Sequence, residues 1–118
     1  MAKSIEEIKK FIKIAEEMLE KGETDTCINR LYVSCENAAE HVLQKYSSEM
    51  PKRHDKIANA LENLFKTGKL EKNFSGALRR LYDLHMLSDY GKEIGEEPSK
   101  EEITQLLEEA KSLLQAAR

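Results

Sequence analysis

Asp25-Thr26-Cys27-Ile28-Asn29-Arg30-Leu31-Tyr32-Val33-Ser34-Cys35-Glu36-Asn37-Ala38-Ala39-Glu40-His41-Val42-Leu43 holds neither proline nor glycine. Ile28, Leu31, Cys35, Ala38 and Val42 recur in it at three- and four-residue steps, with Leu43 alongside, which is the periodicity of a helix. Tyr32, Ala39 and Tyr46 widen that stripe, so both faces are partly apolar. A helix of this kind has to be covered on more than one side, and it is expected at the centre of the fold. Its small residues Ser34, Ala38 and Ala39 would let a neighbour approach closely. Thr24 or Asp25 is expected to cap it, and Ser47-Ser48-Glu49-Met50-Pro51 to end it.

Reading outward, the flanking segments are helical too. Ser4-Ile5-Glu6-Glu7 has the capping-box pattern, a serine followed three residues later by a glutamate. Behind it Ile5, Ile8, Ile12, Ala15 and Leu19 form a stripe, flanked by Phe11 and Met18, and Lys21-Gly22 closes that helix. A third helix is expected from about Asp55 to Lys66, with Ile57, Ala58, Leu61, Leu64 and Phe65 inward and Thr67-Gly68 as its stop. A fourth begins near Phe74, carries Ala77, Leu78, Leu81, Tyr82, Leu84 and His85, and fades at Tyr90-Gly91. After a polar loop to Pro98, Ser99-Lys100-Glu101-Glu102 repeats the capping box, and Ile103, Leu106, Leu107, Ala110, Leu113 and Leu114 line a fifth helix. Nothing reads as a strand. The expectation is an all-α, antiparallel up-and-down bundle of four to five helices, forming one domain over residues 1–118.

The 118 residues are 40% hydrophobic and 35% charged, above the usual quarter for charge, which suggests long solvated helical faces. The apolar runs are too short to span a bilayer, and the start of the chain lacks a signal-peptide apolar region, so the expectation is cytoplasmic. Cys27 and Cys35 are two turns apart on one helix, about 12 Å along its axis, and are expected to be buried free thiols. Net charge is −3, against general affinity for nucleic acid. From Lys52 to Arg80, however, eight basic residues stand against three acidic ones, a local balance of +5. That stretch could meet phosphate or be a scattered set of solvated cations.

Three histidines bear on chemistry. His41 reads as structural or exposed, and His54 as a residue of a helix boundary. His85 lies on one helical line with Leu78, Tyr82 and Asp89, because residues three and four apart share a face. A carboxylate one turn from a histidine can orient its ring. Arg79 and Arg80 stand one to two turns upstream, with guanidinium groups suited to phosphate. The alternative is a polar seam that satisfies itself between packed helices. No metal-ligand spacing or phosphate-binding glycine loop is present, so neither metal nor cofactor is expected, and hydrolysis here would be metal-free work on a phosphodiester.

The central helix, with Arg30, one residue, then Tyr32, then small residues, resembles the small stand-alone prokaryotic branch of the HEPN domains. Two further segments are similar to that branch. Arg53-His54-Asp55 through Leu64-Phe65-Lys66-Thr67-Gly68 resembles its histidine-containing third helix, and Leu81 to Gly91 its Asp89-Tyr90 signature. The resemblance implies a helical bundle that forms a homodimer. It implies partners of three kinds: a small nucleotidyltransferase in a toxin-antitoxin-like pair, an RNA, or a nucleotide. It also implies metal-independent endoribonuclease activity in many members, through an Arg-x4–6-His motif.

Arg80 and His85 satisfy that motif's spacing, and they are the catalytic pair if the chain is a nuclease. Five residues apart is about 140° around a helix, so the two side chains diverge within one copy. In the register of Asp89-Tyr90, His85 also takes the place where the branch commonly carries the arginine. The first expectation is therefore a binding module, whose cleft for a nucleotide, RNA or partner is built around Arg79, Arg80, Tyr82, His85, Asp89 and Tyr90. The alternative is the endoribonuclease toxin.

Overall fold

The structure is a computed structural model, which describes residues 2–46, 51–89 and 98–118. Within them the chain forms α1 (Ile5–Glu20), α2 (Thr24–Tyr46), α3 (His54–Lys66), α4 (Ser75–Asp89) and α5 (Lys100–Ala117), with no strand among the described residues. This is the expected all-α bundle. The break at 47–50 and the end of α4 at Tyr90-Gly91 lie outside the described residues.

α2 touches all four other helices, and between Cys27 and Leu43 no residue is fully exposed. Leu31, Ala39 and Val42 are wholly buried and Ala38 is 1% exposed, so the two-sided stripe does place this helix at the centre. α1 and α5 pack side by side against it, and α3 and α4 close its other flank. One buried cluster draws on all five helices, with Ile8, Leu31, Leu61, Leu81 and Ile103 among its largest members.

Local chemistry explains the ends. The Ser4 hydroxyl accepts from the Glu7 amide at 3.2 Å while the Glu7 carboxylate accepts from the Ser4 amide at 3.3 Å, a complete capping box. α1 stops because Gly22 takes φ +76°, in the left-handed region. The Gly22 amide donates to the Leu19 carbonyl and the Glu23 amide to Met18, the paired bonds of a Schellman turn. Gly68, at φ +79°, ends α3 in the same conformation.

Four details differ from the sequence expectation. Thr24 is itself helical, and the first amide bond, from Cys27, goes to the Glu23 carbonyl, so the cap of α2 falls one residue earlier. α3 starts at His54, with Arg53 at its cap. Phe65 is 40% exposed, because α3 packs only on α2 and α4 and buries the narrow stripe of Ile57, Ala58, Leu61 and Leu64. At α5 the Ser99 hydroxyl accepts from the Glu102 amide at 3.1 Å, but the Glu102 carboxylate does not turn back to complete the box. It reaches across to Arg80 on α4 instead.

Candidate functional site

Three helices meet around four half-buried rings. Tyr32 comes from α2, His54 from the first residue of α3, and Tyr82 and His85 from successive turns of α4. The His54 ring stacks on Tyr82, centroids 3.3 Å apart and planes 11° from parallel. His85 stacks on Tyr32 at 4.7 Å and 15°. Tyr32 and Tyr82 meet obliquely at 5.8 Å and 60°, so the four rings form one continuous cluster. The Tyr32 hydroxyl donates to the carboxylate of Glu36, one turn further along α2. Burial pushes the Tyr32 hydroxyl well above its ordinary value, with the adjacent Glu36 carboxylate adding to the effect, so it stays protonated and acts as a donor.

The α2 motif straddles its helix. Two residues are about 200° apart around the axis. Tyr32 therefore faces α4 while Arg30 faces α1, where its guanidinium carbon lies 5.0 Å from the centre of the Phe11 ring. On the α1 side His41 bonds through Nε2 to the Lys3 carbonyl at 2.6 Å, and Asn37 accepts from the Lys3 amide at 2.8 Å. His41 thus has the structural role expected of it, tying the start of the chain to α2.

The residues expected to form a cleft on α4 separate in space. Arg79 turns to α3, donating to Asn59 Oδ1 at 2.7 Å and lying 3.8 Å from Glu62. Arg80 turns to α5, where it holds Glu102 with two bonds of 3.0 and 2.9 Å. That bidentate pair raises the Arg80 guanidinium and lowers the Glu102 carboxyl, chiefly through the hydrogen bonds, with desolvation opposing both shifts and the mutual charge adding to them. Tyr82 and His85 turn to the ring cluster. The structure therefore brings Tyr82 and His85 together and separates both arginines from them. Asp89 closes α4, but its side chain lies outside the described residues, as does Tyr90.

Sequence reasoning missed Tyr32, Glu36 and His54 as parts of this site. Tyr32 and Glu36 carried a readable signal, since an aromatic hydroxyl and a carboxylate four apart on a helix face each other. His54 carried none, because only packing of α3 on α4 brings its ring to Tyr82. The cations of the basic segment spread from the residues before α3, along it and through the turn after it, to α4, and Arg53 is taken by Asp55 at 3.1 Å. Lys52, Arg53 and Lys56 are nevertheless exposed at the end of α3 that carries His54. Cys27 and Cys35 are buried free thiols, as expected.

No group of three or more potential metal ligands comes together among the described residues. No helix among them is long and apolar enough to cross a membrane. Comparison with curated proteins finds no match. The HEPN domain model does match, over residues 1–118, and a match across the whole length, on an all-helical bundle, shows that the chain belongs to the HEPN family.

Proposed function

We propose that this protein is a binding module of the HEPN family, a homodimer that takes a nucleotide or RNA at the ring cluster and works with a small nucleotidyltransferase in a toxin-antitoxin-like pair. HEPN domains commonly dimerise. The carrying observation is the divergence on α4. Arg80 is committed to Glu102 and His85 to Tyr32, so the arginine and histidine that hydrolysis would need are held apart within the protomer. The rings offer π-faces and polar tips, and Lys52, Arg53 and Lys56 stand exposed at the same end of α3. Aromatic faces beside cations suit a base and its phosphate.

The test pairs binding with cleavage. Fluorescence anisotropy with labelled adenosine monophosphate and a short RNA is expected to show saturable binding. Tyr82→Ala should weaken it by about tenfold, the loss of one stacking contact. The same RNA, incubated with the protein in EDTA, is expected to remain intact. Cleavage abolished by both His85→Ala and Arg80→Ala would overturn the binding reading in favour of the endoribonuclease, with the second protomer supplying the missing partner of the pair.

A further inference from the structure

The ring cluster uses only half of the Glu36 carboxylate. Oε2 accepts from the Tyr32 hydroxyl. Oε1 has no hydrogen-bond partner among the described residues and is not sealed from solvent. Glu36 enters no ion pair among them either. From Leu31 to Glu40, α2 carries no basic residue, and Glu40 adds a second carboxyl one turn further on. The cluster therefore has a negative edge at α2, while Lys52, Arg53 and Lys56 stand exposed at its His54 end.

That edge offers acceptors. An ionised carboxylate only accepts hydrogen bonds, and each of its oxygens has room for two. The Tyr32 hydroxyl hydrogen is already directed at Glu36, so Tyr32 presents a lone pair outward. A flat ligand lying against the rings thus meets acceptors along one side and has to bring donors. Among the common bases, guanine alone has two adjacent donors, N1–H and N2–H, on its Watson–Crick edge. Adenine and cytosine each set a ring-nitrogen lone pair beside their amino group, and that lone pair would face the carboxylate. Uracil has one N–H between two carbonyls. Two parallel N–H donors on one carboxylate form the same fork that arginine makes, and a charged acceptor strengthens both bonds. A cationic ligand would also suit rings and a carboxylate, but it would meet Lys52, Arg53 and Lys56 beside them. The phosphate of a guanine nucleotide would be attracted by those cations.

We propose that the ring cluster selects guanine, with the base against the rings and its N1–H and N2–H donating to the Glu36 carboxylate. Glu36 is then the residue that determines specificity. This rests on the reading of the cluster as a nucleotide or RNA site and adds the choice of base.

Titration calorimetry of the intact protein with GMP, IMP and AMP tests it. GMP is expected to bind at least about tenfold more tightly than AMP, which retains only stacking and phosphate contacts. IMP lacks the 2-amino group and should fall between them. Glu36→Gln, checked for unchanged helicity, keeps the shape but removes the charge and one acceptor. It should bring GMP to the affinity of AMP and leave AMP nearly unchanged. A short oligouridine with one central guanine, set against the same oligomer with adenine, separates the two sources of the base. Support from an oligomer bound more tightly than GMP assigns the guanine to RNA, and equal affinity assigns it to the free nucleotide. Equal binding of GMP and AMP would overturn the choice of base while the nucleotide site stands. A guanine preference that survives Glu36→Gln, or arginine methyl ester competing as well as GMP, would overturn it too. Binding of none of the nucleotides or oligomers would overturn the nucleotide reading and this proposal with it.

Discussion

At the scale of the residue, two side chains of α2 are expected to respond to removal of their polar group in opposite directions. Burial, then the neighbouring Glu36, pushes the Glu40 carboxyl above its ordinary value. A raised carboxyl keeps its full contribution to stability below its ordinary pKa and loses it as pH rises through the folded value. Glu40→Gln is therefore expected to raise the urea midpoint near about pH 7 and to leave it unchanged near about pH 4. A variant that gained equally at both would show that charge is not the cause. Tyr32→Phe removes only the hydroxyl that bonds Glu36. It should leave the ring contacts in place and cost about 1 kcal/mol, read from the same urea curves.

At the scale of the element, the turns and the α4–α5 tie carry the argument. Gly22 has open space where a Cβ would go, so Gly22→Ala meets no clash and tests the backbone alone. At φ +76° it is expected to destabilise the protein by about 1 kcal/mol. The same change at the helical Gly76, also in open space, should stabilise α4 by about 0.5 kcal/mol. Arg80 and Glu102 join two helices that otherwise touch little, and their side chains are 40% and 36% exposed. Solvent at that exposure limits a double-mutant cycle between Arg80→Ala and Glu102→Ala to about 1 kcal/mol of coupling. A coupling near zero would show that the pair positions α4 without holding it.

At the scale of the whole molecule, stability rests on one core with α2 as its axis. Leu31 is wholly buried where that helix meets its neighbours, and Leu31→Ala is expected to cost about 2–5 kcal/mol. The same burial sets the alkaline limit. Burial pushes the Cys27 thiol from 9.0 up to about 11. Burial first and Glu109 second push Cys35 from 9.0 up to about 12. These raised values mean that stability is intact below about pH 9 and falls as pH climbs toward the folded values, where the unfolded chain sheds protons the native one retains. Urea midpoints across that range are expected to decline, and Cys27→Ala should decline less steeply than the parent.

The bundle was legible in the residues because a helix writes its burial into its own sequence. The 3.6-residue period of Ile28, Leu31, Cys35, Ala38 and Val42, the Ser4 box and the terminal Gly22 and Gly68 are all local. What neighbours do with a side chain is not local. Ser99 to Glu102 has the box pattern, yet a guanidinium on another helix outcompetes the Ser99 amide for the carboxylate, since two charge-assisted bonds outweigh one neutral donor. Phe65 looked inward by period and stayed half-exposed, because α3 has helices on one flank only. Sequence order placed Arg79, Arg80, Tyr82 and His85 in one cluster. The helix turns about 100° per residue, so packing distributes them among α3, α5 and α2. Only the tertiary structure brings His54 and Tyr32 to the rings of α4, because contacts between distant segments depend on how the helices dock, and no local pattern encodes that.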